Sequence, residues 1–114
     1  MAGSQGLDEL RAPKEVKDAL KDFVRRVKKK LGDAEVYLFG SYARGDWLHD
    51  SDIDLIVVSS AFQKLSLGER YVLVRGLLST EFSVELLLYT PEEFRRAEGG
   101  VLIQDAKEYW IKLL

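Results

Sequence analysis

The sequence predicts an α/β (α+β) protein, a small mixed sheet covered by helices. Three observations lead there: two β-rich apolar runs, Glu35 to Phe39 and Ile53 to Val58; a third such run, Phe82 to Tyr89; and amphipathic stripes of helical period between and around them. Only about a dozen residues join the first two runs, so their relative direction is open and the sheet is expected to be mixed.

Residues 1–12 are polar and aperiodic, and are expected to be a flexible lead-in to a single domain over 13–114. Pro13 opens a helix in which Val16, Ala19, Leu20, Phe23, Val24, Val27 and Leu31 form one stripe, and Gly32 ends it. Its other face carries lysines and arginines that gather towards the C-terminus, where the helix dipole favours them. Gly40 stops the first strand, and a short helical turn, Ser41 to Arg44, leads into a polar loop before the second. Leu65 to Leu78 reads as an amphipathic helix with Leu67, Tyr71, Val74, Leu77 and Leu78 inward. After the third strand, Thr90-Pro91-Glu92-Glu93 holds a capping hydroxyl, a proline at the first helical position and a glutamate at the third, so a short helix starts there and ends near Gly99-Gly100. A last helix is expected from about Leu102 to Leu114, with Ile103, Ala106, Trp110 and Leu114 on one stripe.

Composition narrows the chemistry. With 46% hydrophobic and 32% charged residues in 114, the chain has enough apolar surface to bury a core without disulfides. Zero Cys excludes thiolate nucleophiles and zinc fingers, and a single His excludes sites needing two imidazoles, so a metal would be held by oxygen. Seventeen basic against nineteen acidic residues leave a net charge of -2, and no aromatic side chain interleaves with the helix lysines, so strong nucleic-acid binding is not expected. No apolar run reaches the roughly 20 residues of a membrane span, and no basic-then-apolar leader opens the chain. No membrane association is expected, and the expected location is cytoplasmic.

The informative segment runs from Leu38 to Val58. Asp52 and Asp54 stand two apart at the start of a strand, so both side chains leave the same face with Cα atoms roughly 6–7 Å apart. Two such carboxylates can hold two divalent cations about 3.5–4 Å apart, the spacing that clamps both oxygens of a phosphoryl displacement. An isolated Asp-x-Asp is more often a solvated pair. Here Asp54 runs directly into Leu-Ile-Val-Val, and a buried carboxylate is costly unless paired or metal-bound. Gly40-Ser41 sits at a strand-to-helix junction, where Gly40 allows a sharp turn and Ser41 offers a hydroxyl either to an anion or to a helix cap. Arg44 lies one turn on and can reach the same anion, or pair with Asp46 or Asp50. Two rival motifs fail. Gly40-x4-Gly45 is followed by Asp46-Trp47 where a P-loop has Lys and Ser or Thr, and the calcium-loop start Asp50-x-Asp52-x-Asp54 meets Leu55 and Ala61 where Gly and Glu belong.

Gly40-Ser41, about ten residues, then Asp52-x-Asp54 resembles the nucleotidyltransferase superfamily of DNA polymerase β. Gly40-Ser-Tyr-Ala-Arg-Gly45 with Ser51-Asp-Ile-Asp-Leu55 is more specifically similar to the minimal nucleotidyltransferases, or MNT proteins. The resemblance implies the polymerase β-like fold, with magnesium on Asp52 and Asp54 and nucleotide phosphates on Gly40 and Ser41, aided by Arg44. It implies a third carboxylate on a neighbouring strand. Glu85, the one acid inside Phe82 to Tyr89, is the candidate, in place of the Asp commoner in that family. Two Mg²⁺ ions and ATP as donor follow from the same resemblance, giving transfer of a nucleoside monophosphate, expected to be AMP, to an acceptor hydroxyl. A chain this short leaves no room for a substrate domain, so the acceptor is expected on another protein. MNT proteins are often paired with a helical HEPN partner as antitoxin to toxin, which makes a HEPN-like protein the expected partner, with a homodimer also open. The alternative keeps the fold and discards catalysis, leaving a binding module that neutralises its partner by forming a complex.

Overall fold

The computed structural model describes residues 2–78 and 81–114. In chain order the elements are α1 (Ala2–Glu9), α2 (Lys14–Leu31), β1 (Ala34–Phe39), α3 (Gly40–Arg44), β2 (Ile53–Ser59), a 3-10 turn (Ser60–Lys64), α4 (Leu67–Arg75), β3 (Val84–Tyr89), α5 (Pro91–Ala97), α6 (Val101–Lys107) and β4 (Ile111–Lys112). The sheet is mixed, in the order β3-β2-β1-β4. β1 runs antiparallel to β2, from Phe39 opposite Asp54 to Ala34 opposite Ser59, and β4 runs antiparallel to β1. β2 and β3 are parallel, with Asp54 opposite Glu85.

Strand alternation sends Val36, Leu38, Ile53, Leu55 and Val57 to one face of the sheet, where they meet Leu20, Phe23 and Val27 of α2 and Val74 of α4. Tyr37, Phe39, Ile56 and Val58 go to the other face, under Phe94 of α5 and Ile103 and Ala106 of α6. α2 buries the stripe read from its sequence, Val16, Leu20, Phe23 and Val27, and Gly32 ends it at φ +76° with its N–H on the Lys28 carbonyl at 3.2 Å. Each of those four side chains adds about 1.5–3 kcal/mol of burial. The capping box before α5 is present in full: Thr90 Oγ1 accepts from the Glu93 N–H, and the Glu93 carboxylate accepts from the Thr90 N–H.

Three elements differ from the sequence reading. Residues 1–12 were expected to be loose, yet Ala2–Glu9 is helical and Leu7 and Leu10 are buried in the core; Met1 lies outside the described residues. Gly6 allows this seat, because a Cβ there would stand 2.8 Å from Ile111 Cγ2 of β4. The helix expected over Leu65 to Leu78 is shorter and turned about its axis. Val74 and Leu78 are buried, whereas Leu67 and Tyr71 face outward. The last helix stops at Lys107, and the chain then extends as β4. From Trp110 the period is two: Trp110 stacks on Tyr37 at 4.2 Å on one face while Ile111 and Leu113 join the core on the other.

Arg70 sets the rotation of α4. Its side chain is 6% exposed; Nε donates to the Leu65 carbonyl, Nη1 to the Leu88 carbonyl, and the guanidinium grips Glu93 through Oε1 at 2.7 Å and Oε2 at 3.2 Å. Turning Leu67 or Tyr71 inward would strand this buried cation, a larger loss than either apolar contact. The Arg70 hydrogen bonds and the Thr90 N–H hold the Glu93 carboxyl down at about 2. An acid whose folded value is depressed stabilises the protein above its unfolded value, about 4.3, and that stability is lost as pH falls towards 2. Glu93→Gln is therefore expected to cost about 1–3 kcal/mol at pH 7 and to flatten the stability profile between pH 4.5 and 2. Urea melts across that range check it, and an unchanged slope would remove Glu93 as an acid-labile tie.

Candidate active site

Phe39, Asp54 and Glu85 lie side by side on β1, β2 and β3, at the end of the sheet where β1 leaves and β2 and β3 begin. Directly opposed residues share a face, so Asp54 and Glu85 both stand on the face that α5 and α6 cover farther along. Asp54 is half-buried, whereas Glu85 and Asp52 are exposed. Burial, then the charge of Glu85 and a hydrogen bond that the protonated Asp54 donates to it, then the charge of Asp52, push the Asp54 carboxyl up to about 7; Arg44 opposes them. Two acids in hydrogen-bond contact at neutral pH call for either a shared proton or a cation.

Gly40 carries a role that sequence reading missed. It has φ +73°, and a Cβ built on it would lie 1.9 Å from Asp54 Oδ2. The space that a side chain would fill is taken by the Asp54 carboxylate. The signal for this role is the pairing of Phe39 with Asp54, which becomes visible only once the strand register is known.

Ser41 is not the cap of α3. That position is Phe39, which has no hydroxyl, and Ser41 sits inside the helix with its carbonyl accepting from the Gly45 N–H at 2.9 Å. The hydroxyl of Ser41 thus stays on the turn that leads out of β1. Arg44 Nε donates to Asp46 Oδ2 at 3.1 Å, on the surface. Of the two carboxylate partners read from the sequence, Asp46 is the one engaged, while the cation remains near enough to act on Asp54. Tyr42 is buried and stacks on Trp47 at 5.7 Å, and Trp47 Nε1 donates to the Arg11 carbonyl at 2.7 Å, which ties the loop after α3 to the start of α2. His49 is exposed in that loop.

The oxygen-only donors suit a hard divalent cation such as magnesium, and the Asp54–Glu85 contact is the kind of like-charge pair that such a cation relieves. Among the described residues, no three His, Cys, Asp or Glu side chains are gathered into one cage, so Asp52, Asp54 and Glu85 do not form a ready-made three-ligand set. A cavity of about 660 Å³ at the other end of the same sheet face is lined by Asp33, Glu35, Tyr37, Phe94 and Arg95 among others, and contains none of these acids. The acids lie at the other end of the sheet, with Asp52 and Glu85 open to solvent beside the half-buried Asp54.

The family model for the nucleotidyltransferase domain matches residues 20–113. The chain belongs to that family. This nucleotidyltransferase is 26% identical over 98 residues to a Methanocaldococcus jannaschii protein named as a protein adenylyltransferase, covering 86% of this chain and 94% of the relative. It spans 42% of the length of two other proteins of that organism with the same name. Among solved structures it is similar to a Sulfolobus solfataricus protein assigned as a nucleotidyltransferase, with a TM-score of 0.58 and 25% identity over 84% of this chain and 80% of that one. It is also similar to the crystal structure of a toxin-antitoxin with AMP-PNP, with a TM-score of 0.63 and 26% identity over 82% and 71% of the two chains. Among the described residues, no helix of this nucleotidyltransferase is long and apolar enough to cross a membrane.

Proposed function

We propose that this nucleotidyltransferase moves AMP from ATP to a hydroxyl of a partner protein, in a magnesium-dependent reaction, as the antitoxin-like member of a pair with a HEPN-like helical protein. The observation that carries the reading is the Asp54–Glu85 carboxyl pair, set beside Gly40 with the charge of Asp52 acting on it. The names of the M. jannaschii relative and of the toxin-antitoxin structure support the donor and the protein acceptor.

Asp54, Glu85 and Asp52 would hold two magnesium ions. The ions supply charge neutralisation at the transferring phosphoryl group and acidity at the acceptor hydroxyl. The other tasks fall to the chain itself. Asp54 is fixed against Gly40 and so aims one carboxylate at the reacting centre. Asp52, exposed before β2, is free to turn towards the pair. The Ser41 hydroxyl and the Arg44 guanidinium would bind and orient the leaving phosphates. The solvent-exposed side of Glu85 and Asp52 leaves room for the acceptor.

Two measurements test this. Mg-ATP binding by calorimetry should be weak for the wild type and lost in Asp52→Asn as well as Asp54→Asn; affinity unchanged in both variants would remove these carboxylates from the site. With the cognate partner, ATP and Mg²⁺, intact-mass spectrometry should show the partner heavier by about 329 Da per AMP. An unmodified partner held in a stoichiometric complex would support a non-catalytic binding module instead, and modification of a small antibiotic by this chain alone would remove the protein acceptor.

A further inference from the structure

Two of the charges that act on Asp54, those of Arg44 and Asp52, come from outside β2 and β3. Arg44 ends α3 and Asp52 directly precedes β2, so the two stand at either end of the connection 45–51. The residues of this connection are exposed, Leu48 by 70%, except for Trp47 and Ser51, which are half-buried. A connection so open to solvent ordinarily samples many conformations, and would then present Arg44 and Asp52 to Asp54 only part of the time.

Trp47 is where the connection meets the rest of the fold. Its indole packs against the main core and stacks on the buried Tyr42, with ring centroids 5.7 Å apart and planes 19° apart. Its Nε1 donates to the Arg11 carbonyl at 2.7 Å. An indole offers a large apolar contact and a polar handle while losing the freedom of only two torsions, so it anchors a loop at low entropic cost. The acceptor is itself held, since Leu10 beside Arg11 is buried in the same core. Arg11 also precedes residue 20, where the matched domain begins, so half of the contact is supplied by the N-terminal segment. On either side of Trp47 the backbone is tied locally. The Ser41 carbonyl accepts from the N–H groups of Gly45 and Asp46 at 2.9 and 3.2 Å. The turn 48–51 closes on itself, with the Leu48 N–H on Ser51 Oγ at 2.7 Å and the Ser51 N–H on the Leu48 carbonyl at 3.0 Å. Ile53, just past Asp52, donates to the Ser83 carbonyl at 2.9 Å. These local ties stiffen the connection, and the indole fixes it to the core.

We propose that Trp47 is a positioning residue, which pins the connection between the Tyr42 ring and the Arg11 carbonyl and so fixes where the backbone presents Arg44 and Asp52 before metal and nucleotide arrive. The proposal rests on the reading of the site as one that takes Mg-ATP. A connection ordered in advance need not be ordered on binding, so loss of the pin weakens the affinity of the folded protein for Mg-ATP.

Trp47→Phe keeps a ring on Tyr42 and removes the donor to Arg11, while Ser51→Ala opens the 48–51 turn without touching the core. Trp110→Phe is the control, the same chemical change at the other of the two tryptophans, which lies outside the connection and stacks on Tyr37. In the metal-free protein, amide hydrogen exchange over 46–52, read by mass spectrometry, should be about tenfold faster in Trp47→Phe than in the wild type and unchanged in Trp110→Phe. By calorimetry, the Kd for Mg-ATP should rise about tenfold in Trp47→Phe, less in Ser51→Ala and not at all in Trp110→Phe. A merely structural Trp47 would lower the melting point and leave both readings of the folded protein unmoved, which overturns the proposal. Equal weakening of Mg-ATP binding in Trp110→Phe overturns it as well. Where Trp47→Phe does not fold, Ser51→Ala decides, and wild-type exchange and affinity in that variant overturn the proposal. A wild type that binds no Mg-ATP removes the reading of the site on which the proposal rests, and the proposal with it.

Discussion

Gly40→Ala is expected to lower transfer activity by about a hundredfold and stability by about 1–3 kcal/mol, while Gly45→Ala loses stability alone. Both glycines have positive φ, +73° and +88°, where an L side chain costs about 1–2 kcal/mol. Their surroundings differ. A Cβ on Gly45 meets nothing within 4 Å, whereas one on Gly40 lies 1.9 Å from Asp54 Oδ2 and 2.8 Å from its Cγ. The obstacle at Gly40 is the end of a side chain, so the fold survives and the carboxylate moves. A displacement of about 1 Å at a reacting group can cost a hundredfold in rate. Thermal melts and AMP transfer rates for the two variants separate backbone strain from loss of aim. Equal activity in Gly40→Ala and Gly45→Ala would mean that the position of Asp54 against Gly40 has no bearing on the reaction.

The same pair shows what could be read in the sequence and what could not. Asp54 and Glu85 each stood out locally, one as an acid running into Leu-Ile-Val-Val and the other as the one acid within an apolar strand; the burial this implies is met by Asp54, which is half-buried, and not by Glu85, which is exposed. Their contact is a matter of register between strands 31 residues apart in sequence, and β2 and β3 could have been offset by two without changing either local pattern. The mixed sheet, α2 with its stripe and the Thr90 capping box were legible for the same local reasons. Arg70 was not. A cation among Leu67, Tyr71 and Val74 looks solvent-facing until the carbonyls of Leu65 and Leu88 and the carboxylate of Glu93 converge on it, and those three come from separate elements. At the C-terminus, Ile103, Ala106, Trp110 and Leu114 fit a helical stripe as well as they fit a turn followed by a strand. The choice was made by Tyr37, whose ring takes Trp110 as a stacking partner, and by the free edge of β1, whose Val36 bonds both to Leu113 and to Leu114.

Asp54→Asn is expected to abolish transfer, by at least about a thousandfold, and at the same time to stabilise the metal-free protein. On the proposed function, the loss follows from the several kcal/mol of transition-state stabilisation that a divalent ion held by this carboxylate would provide. The gain follows from geometry. Asp54 is half-buried in hydrogen-bond contact with Glu85, with the charge of Asp52 nearby, and its carboxyl is pushed up to about 7. An acid whose folded value lies above its unfolded value of about 3.9 stabilises the fold only while it is protonated, and that contribution fades as pH rises from about 4 through 7. Above pH 7 the ionised carboxylate is a burden that Asn does not carry, since its amide can hydrogen-bond Glu85 without charge. With chelator present, the variant should therefore melt a few degrees higher than the wild type at pH 8, on the scale of about 4–8 °C per kcal/mol for a domain of this size. The difference should shrink towards pH 4. Mg²⁺ should raise the melting point of the wild type at pH 8 and leave that of Asp54→Asn unmoved. A variant that melts lower than the wild type at pH 8 would mean that Asp54 is a structural tie and not a group held in readiness for a cation, and a variant that keeps its transfer rate would place the chemistry elsewhere on the molecule.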